Sequence, residues 1–219
     1  NTCHIVVDSG VVEMRNIFLI IVIIFLLNAA SASTNVTSCG TLSSDGETYL
    51  LNQTPANASG TCFTFSADNS IFDGGNFTVI YAETNIGDGI FVTGSNNTFR
   101  NFKFNHVNES LGSYRGGIRL STASNNTIYN IESISNNNTA YGIYIAFRSN
   151  NNEVFNCNIS NANSIGIYVQ SSSNNSIHDN LVNITSLSTS SGMGNYISSY
   201  NNFWNNKVYS TGGYAFSLN

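Results

Sequence analysis

Apolar residues in this chain keep a slow beat. A glycine followed by an apolar, a variable and a second apolar residue occurs at Gly89-Ile90-Phe91-Val92, Gly117-Ile118-Arg119-Leu120, Gly142-Ile143-Tyr144-Ile145 and Gly166-Ile167-Tyr168-Val169. Gly194-Asn195-Tyr196-Ile197 reads as a fifth copy and Gly213-Tyr214-Ala215-Phe216 as a degenerate sixth, and the first five lie 28, 25, 24 and 28 residues apart. A second pattern keeps step with the first: Asn97-Thr98-Phe99, Asn126-Thr127-Ile128, Asn152-Glu153-Val154, Asn175-Ser176-Ile177 and Asn201-Asn202-Phe203, with Asn69-Ser70-Ile71 as a forerunner. Within each unit apolar and polar residues alternate with a period of two, and no helical stripe appears. The pattern predicts at least two short strands per unit and a stack of repeats.

Two short strands cannot bury an apolar face alone. Stacking one coil on the next at the usual strand spacing of about 4.8 Å places Ile90, Ile118, Ile143 and Ile167 in one interior ladder. Phe99, Ile128, Val154, Ile177 and Phe203 make a second, and Phe104, Ile134, Ile159, Val182 and Val208 are expected to make a third. Three inward ladders describe a three-faced solenoid.

The rhythm of Asn175-Ser176-Ile177-His178-Asp179-Asn180-Leu181-Val182 and of residues 201–208, alternating with the glycine motif, resembles the right-handed parallel β-helix repeats of NosD-like and pectate-lyase-like proteins. The resemblance implies an all-β fold, a single-stranded right-handed parallel β-helix of about six coils over residues 67–219. It does not imply one activity, because that architecture hosts lyases, hydrolases, epimerases, copper-site accessory proteins and surface-layer proteins. The opening segment, with Cys39-Gly40-Thr41-Leu42, Gly60-Thr61-Cys62-Phe63 and Ile71-Phe72-Asp73-Gly74, resembles the start of secreted archaeal surface β-helix proteins, in which a disulfide-tied strand leads into the first coil.

The ends and the composition narrow the class. Met14-Arg15-Asn16, the apolar run Ile17 to Leu27 and the small residues Ala30-Ser31-Ala32 read as a secretory signal over residues 14–32, with an apolar run too short to span a bilayer comfortably. Residues 1–13 read as upstream sequence, and the rhythm is expected to continue past Asn219. Only 9% of the residues are charged, and the net charge is -5. Lys and Arg are scattered singly, which leaves no basic stripe for a phosphate backbone and excludes nucleic acid as a partner. Membrane contact is expected only through the signal segment or a further C-terminal anchor.

Export makes the cysteines readable. Cys39 and Cys62 flank the segment lacking the rhythm and are expected to staple residues 33–66 as an N-terminal cap. Cys157 lies in the column of Phe102, Ile131, Asn180 and Asn206 and is expected to be a buried thiol. No metal-ligand spacing occurs, so neither metal nor cofactor is expected. Asn-x-Ser/Thr triplets begin at Asn35, Asn52, Asn57, Asn76, Asn96, Asn108, Asn125, Asn137, Asn158, Asn174 and Asn183. A chain this rich in Asn, Ser and Thr also generates such triplets by composition alone.

In a β-helix the residue after each inward Ile points outward. Phe91, Arg119, Tyr144, Tyr168 and Tyr196 are therefore expected in one exterior file, where aromatic faces suit sugar rings and an Arg fork suits a sugar carboxylate. The competing expectation is that the rings only stabilise neighbouring rungs. Asp88, just before Gly89, is expected to pair with Arg115 or Arg119 across coils, and no pair of acids suited to glycosidic cleavage stands out. The sequence thus points to a secreted or cell-surface protein with a structural or adhesive role and a polysaccharide or cell-surface glycan as partner. The alternative is a polysaccharide lyase, glycoside hydrolase or epimerase whose catalytic residues lie partly beyond Asn219.

Overall fold

The computed structural model describes residues 33–107, 115–135, 140–161, 164–185 and 191–218, so the expected leader and upstream segment lie outside the described residues. Every regular element among the described residues is a strand, and every strand pairing is parallel. One sheet of eight strands runs through Gly40–Leu42, Phe63–Phe65, Ile90–Val92, Arg115–Ser121, Ala140–Ala146, Ile167–Gln170, Ser191–Tyr196 and Tyr214–Leu218. The other, of twelve strands, supplies two faces. The first face starts at Ser33–Val36 and ends at Asn202–Trp204; the second starts at Thr78–Tyr81 and ends at Lys207–Ser210. The nine-residue strands Thr98–His106 and Thr127–Ser135 turn from one face to the other at Asn101 and Asn130, both at positive φ, the left-handed conformation that Asn tolerates better than other side chains. Residues 71–218 thus form about six three-faced coils.

The ladders follow from stacking apolar residues in register. On the eight-stranded sheet Phe63, Ile90, Ile118, Ile143, Ile167 and Met193 lie in one buried column. On the first face the column is Tyr49, Phe72, Phe99, Ile128, Val154, Ile177 and Phe203. Its early member is Phe72 and not Ile71, because Ile71 pairs with the outward Thr98. Fully burying each such side chain contributes roughly 1.5 to 3 kcal/mol before entropy is counted.

The third ladder differs by one residue from expectation. Val79, Phe104, Ser133, Ile159, Val182 and Val208 pair in turn, so Ser133 is buried in the column and Ile134 points to solvent, 42% exposed. Strand alternation from Ile131, which packs inward beside Phe102, dictates this whatever the polarity of residue 133. At this corner Asn101, Asn130 and Asn156 take the left-handed turn, and the residues just after them face inward. Cys157 is one of these: a buried free thiol whose pKa burial pushes up to about 12.

The glycine of the motif has a packing reason. A Cβ on Gly142 would lie 2.3 Å from Ile159 Cγ2, one on Gly166 2.3 Å from Val182 Cγ1, and one on Gly192 2.1 Å from Val208 Cγ1. Gly192, not Gly194, is therefore the fifth motif glycine, and Met193 takes the place of the inward Ile. The sixth copy shifts likewise, with Phe216 opposite Met193.

The inward Asn of the second pattern is a hydrogen-bonded column. Asn97 N donates to Asn126 Oδ1 at 2.9 Å, Asn126 N to Asn152 Oδ1, Asn152 N to Asn175 Oδ1 and Asn175 N to Asn201 Oδ1, the last three at 2.8 Å. Each amide thereby satisfies a backbone donor that the turn leaves without a strand partner.

Residues 33–66 lie in register with the coils. They supply two rungs on the first face and two on the eight-stranded sheet, without a second-face strand. The irregular stretch 52–62 stands in that place, tied by the Cys39–Cys62 disulfide.

Candidate functional site

The outward file on the eight-stranded sheet exists for four of its five expected members. Phe91 pairs with Arg119, Arg119 with Tyr144 and Tyr144 with Tyr168. The next partner is Gly194, and Tyr196 pairs two residues further on, beside Gln170, because the motif begins at Gly192. Tyr144 is buried under its neighbours, with ring centroids 5.0 Å from Tyr141 and 5.6 Å from Tyr168, and its hydroxyl donates to Gln170 Oε1. Its ring offers no face to a ligand. Tyr168 and Tyr141 stay half-buried, 5.1 Å apart.

The charged end of this file holds the expected ion pair across coils, and its carboxylate is buried. Asp88 lies almost wholly out of solvent; its Oδ1 accepts from Gly116 N at 2.9 Å and its Oδ2 from Arg119 Nε at 2.9 Å. Burial raises the Asp88 pKa above the usual carboxylate value, opposed by both arginines and the Gly116 N–H. Arg119 is spent on this contact and on the Phe91 ring, 4.1 Å from its guanidinium carbon, and is only 12% exposed. Beneath them Tyr81 is buried, and burial together with the Asp88 charge raises its phenol pKa.

Arg115 is different. Its NH1 lies 3.7 Å from Asp88 Oδ2 and its side chain is 34% exposed, although its Nε is buried and has no hydrogen-bond partner. Two guanidinium groups thus face one carboxylate, and Arg115 is the more distant and more exposed of the two. The local excess of positive charge stands out on a chain whose net charge is -5.

A second exterior file lies on the first face, and the sequence reading passed over it. Asp73, Arg100, Tyr129, Phe155, His178 and Trp204 follow one another across six rungs. Each comes directly after a ladder residue of the Asn pattern, so the rule applied to the glycine motif would have found it. Tyr129 stacks on Phe155 at 5.1 Å, Phe155 on His178 at 5.3 Å and His178 on Trp204 at 4.3 Å, with interplanar angles of 13°, 2° and 11°. Phe155 and His178 spend both faces on their neighbours, while Trp204 at the end of the stack is 47% exposed. Glu153 Oε1 and Asp179 Oδ2 hold the two His178 nitrogens at 3.1 and 2.7 Å, and Asp73 holds Arg100 Nε at 2.8 Å. With both nitrogens engaged, His178 has none left for proton transfer to a substrate.

A sequence profile for the right-handed β-helix region matches residues 59–219. The chain belongs to this family. The handedness of the solenoid is therefore that of the family, as its repeats suggested. Solved β-helix structures resemble it at low identity: the Dettilon tailspike protein at 10% identity and TM-score 0.38, covering 86% of this chain and 61% of its own. Tailspike protein 2 of the Escherichia coli O157:H7 bacteriophage CAB120 is 14% identical at TM-score 0.41, with 85% and 38% covered. The A-module of the Azotobacter vinelandii mannuronan C-5 epimerase AlgE4 is 12% identical at TM-score 0.27, with 86% and 87% covered. This chain spans less than two thirds of either tailspike chain, and none of these neighbours bears on the archaeal likeness of its opening segment. No curated protein sequence matches it.

Proposed function

We propose that this β-helix is a secreted or surface-displayed structural and adhesive protein that holds an acidic polysaccharide against its eight-stranded sheet. The observation that supports this is the Arg115 guanidinium, whose side chain is 34% exposed beside a buried Asp88 that already has Arg119 as its closer partner. A partly exposed guanidinium fits a carboxylate or sulfate in a forked geometry, and one Asp88 carboxylate does not neutralise both arginines. Tyr168 and Tyr141 lie further along the same face, where half-buried rings provide apolar surface for the flank of a sugar. The contact expected of Arg119 thus passes to Arg115, and that expected of Tyr144 and Tyr196 passes to Tyr141 beside Tyr168. Rigid coils present this surface without an ordering cost on binding, which suits adhesion to a repeating polymer.

The test is binding to immobilised polygalacturonate, with dextran as the neutral control. Arg115→Gln should weaken polygalacturonate binding about tenfold or more, the size of one lost charge-assisted hydrogen bond. Arg115→Lys should recover part of it, and circular dichroism should show both variants folded. A wild type that binds neither polymer would leave the face as scaffold. Equal binding to dextran would remove the charge argument.

A further inference from the structure

Nine of the eleven Asn-x-Ser/Thr triplets begin at described residues, and all nine Asn are exposed. Of the other nineteen described Asn only seven are exposed, so composition alone does not account for where the triplets fall. Strand alternation explains part of the bias, because Asn158 and Asn183 share an outward face with Ser160 and Thr185. It does not explain Asn96, Asn125 and Asn174. These stand at the corner before the first face, at φ of 59°, 57° and 58°, each directly before a buried Asn of the hydrogen-bonded column. The buried partner is locked: Asn126 Nδ2, for example, donates to Gly94 O at 3.2 Å. The corner amides make no side-chain hydrogen bond with any described residue, and the left-handed turn directs them away from the coil.

We propose that Asn96, Asn125 and Asn174 are N-glycosylated, forming a glycan-bearing edge along the solenoid; this rests on the export reading above. In the transfer, Asn Nδ2 forms the N-glycosidic bond to the anomeric carbon of a glycan carried on a lipid pyrophosphate. The bond from that carbon to the pyrophosphate oxygen breaks, and the amide proton leaves with the released lipid pyrophosphate. Thr98, Thr127 and Ser176 supply the hydroxyl of each triplet. The fold tolerates the product because the modified edge lies outside every ladder. It is also a different edge from the one beside Arg115, so glycans there leave the proposed binding face open.

The test is mass spectrometry of peptides from the protein isolated from its own source, inside and outside the cell. The expected result is extracellular protein with hexose-containing mass additions at Asn96, Asn125 or Asn174 and unmodified Asn97, Asn126 and Asn175. Asn125→Gln and Thr127→Ala should each remove the same single addition, and because the map is read first on the wild type, poor folding of a variant does not obscure it. Extracellular protein with all three Asn unmodified would overturn the proposal and leave export standing. Protein found only inside the cell with its leader intact would overturn both.

Discussion

The hydrogen-bonded Asn column predicts a sharp contrast between two adjacent residues of the same type. Asn152 is buried: its Oδ1 accepts from Asn126 N at 2.8 Å, and its Nδ2 donates to Ala123 O at 3.1 Å. Asn152→Ala removes both contacts, leaving one buried backbone donor unpaired and one buried carbonyl short of a partner. At about 1 to 3 kcal/mol for each group the expected loss is about 2 to 6 kcal/mol, and water cannot easily enter to repay it. Asn152 N keeps its own acceptor on Asn175 Oδ1, which loses only the second donor it had in Asn152 Nδ2 at 3.1 Å. Asn151, one position earlier, is exposed at φ 56°, and its replacement by Ala costs only the strain of a left-handed Ala, about 1 kcal/mol. Asn151→Gly should be close to neutral, since Gly reaches that conformation freely. Urea unfolding followed by far-ultraviolet circular dichroism, with midpoints compared at fixed slope, measures all three. Equal midpoints for Asn151→Ala and Asn152→Ala would refute the column as a source of stability.

Three further outcomes follow from the packing and the charges. Ile134→Ser should change stability by no more than about 0.5 kcal/mol because the side chain is outside, whereas Ser133→Asp should unfold or strongly loosen the coil by burying a carboxylate; the reverse order in thermal melts would put the register back where the sequence placed it. His178 loses charge stability through burial but gains more from the Asp179 and Glu153 carboxylates, so its pKa lies above 6.5 and its contribution is complete below that pH and lost as pH rises through the raised value. Asp179, whose pKa its contact with His178 lowers, contributes stability that is lost only as pH falls through that lowered value. The melting temperature of the wild type should therefore fall relative to His178→Gln between neutral and alkaline pH, and parallel curves would show that the ring stack carries no charge. Reducing the Cys39–Cys62 bond, which closes a loop of 23 residues, should lower stability by about 3 kcal/mol in the chain-entropy picture, read as a drop in urea midpoint on adding a thiol reductant.

The repeating pattern determined the class of fold because a stack of coils converts one-dimensional periodicity into three-dimensional columns. Ile90, Ile118, Ile143 and Ile167 are aligned in sequence by their glycines and in space by strand pairing, and the two alignments agree. The buried thiol of Cys157 and the pairing of Cys39 with Cys62 were legible for similar reasons of column and spacing. Residues Ser133 and Met193 were not. Each is an inward position occupied by a residue less apolar, or less regular, than its neighbours, and the sequence offered a better-looking candidate one or two places away. Only the pairing of whole strands, with Val208 packed against Gly192, decides between the two.

The surface was less legible still. Alternation alone says that Tyr144 points outward, yet the Tyr141 ring on its own strand and the Tyr168 ring on the next rung bury it. Alternation also says that Asp88 and Arg119 lie on neighbouring coils; it does not say that the carboxylate is withdrawn from water and takes one arginine with it, leaving Arg115 as the more exposed of the two. By itself the sequence determined which residues share a column and which face of a strand they occupy, since both follow from counting. The tertiary structure decided how deep each outward residue lies and which charges neutralise each other, because burial and electrostatic pairing depend on the size and position of neighbours a whole coil away along the chain, as Tyr168 is from Tyr144 and Arg119 from Asp88.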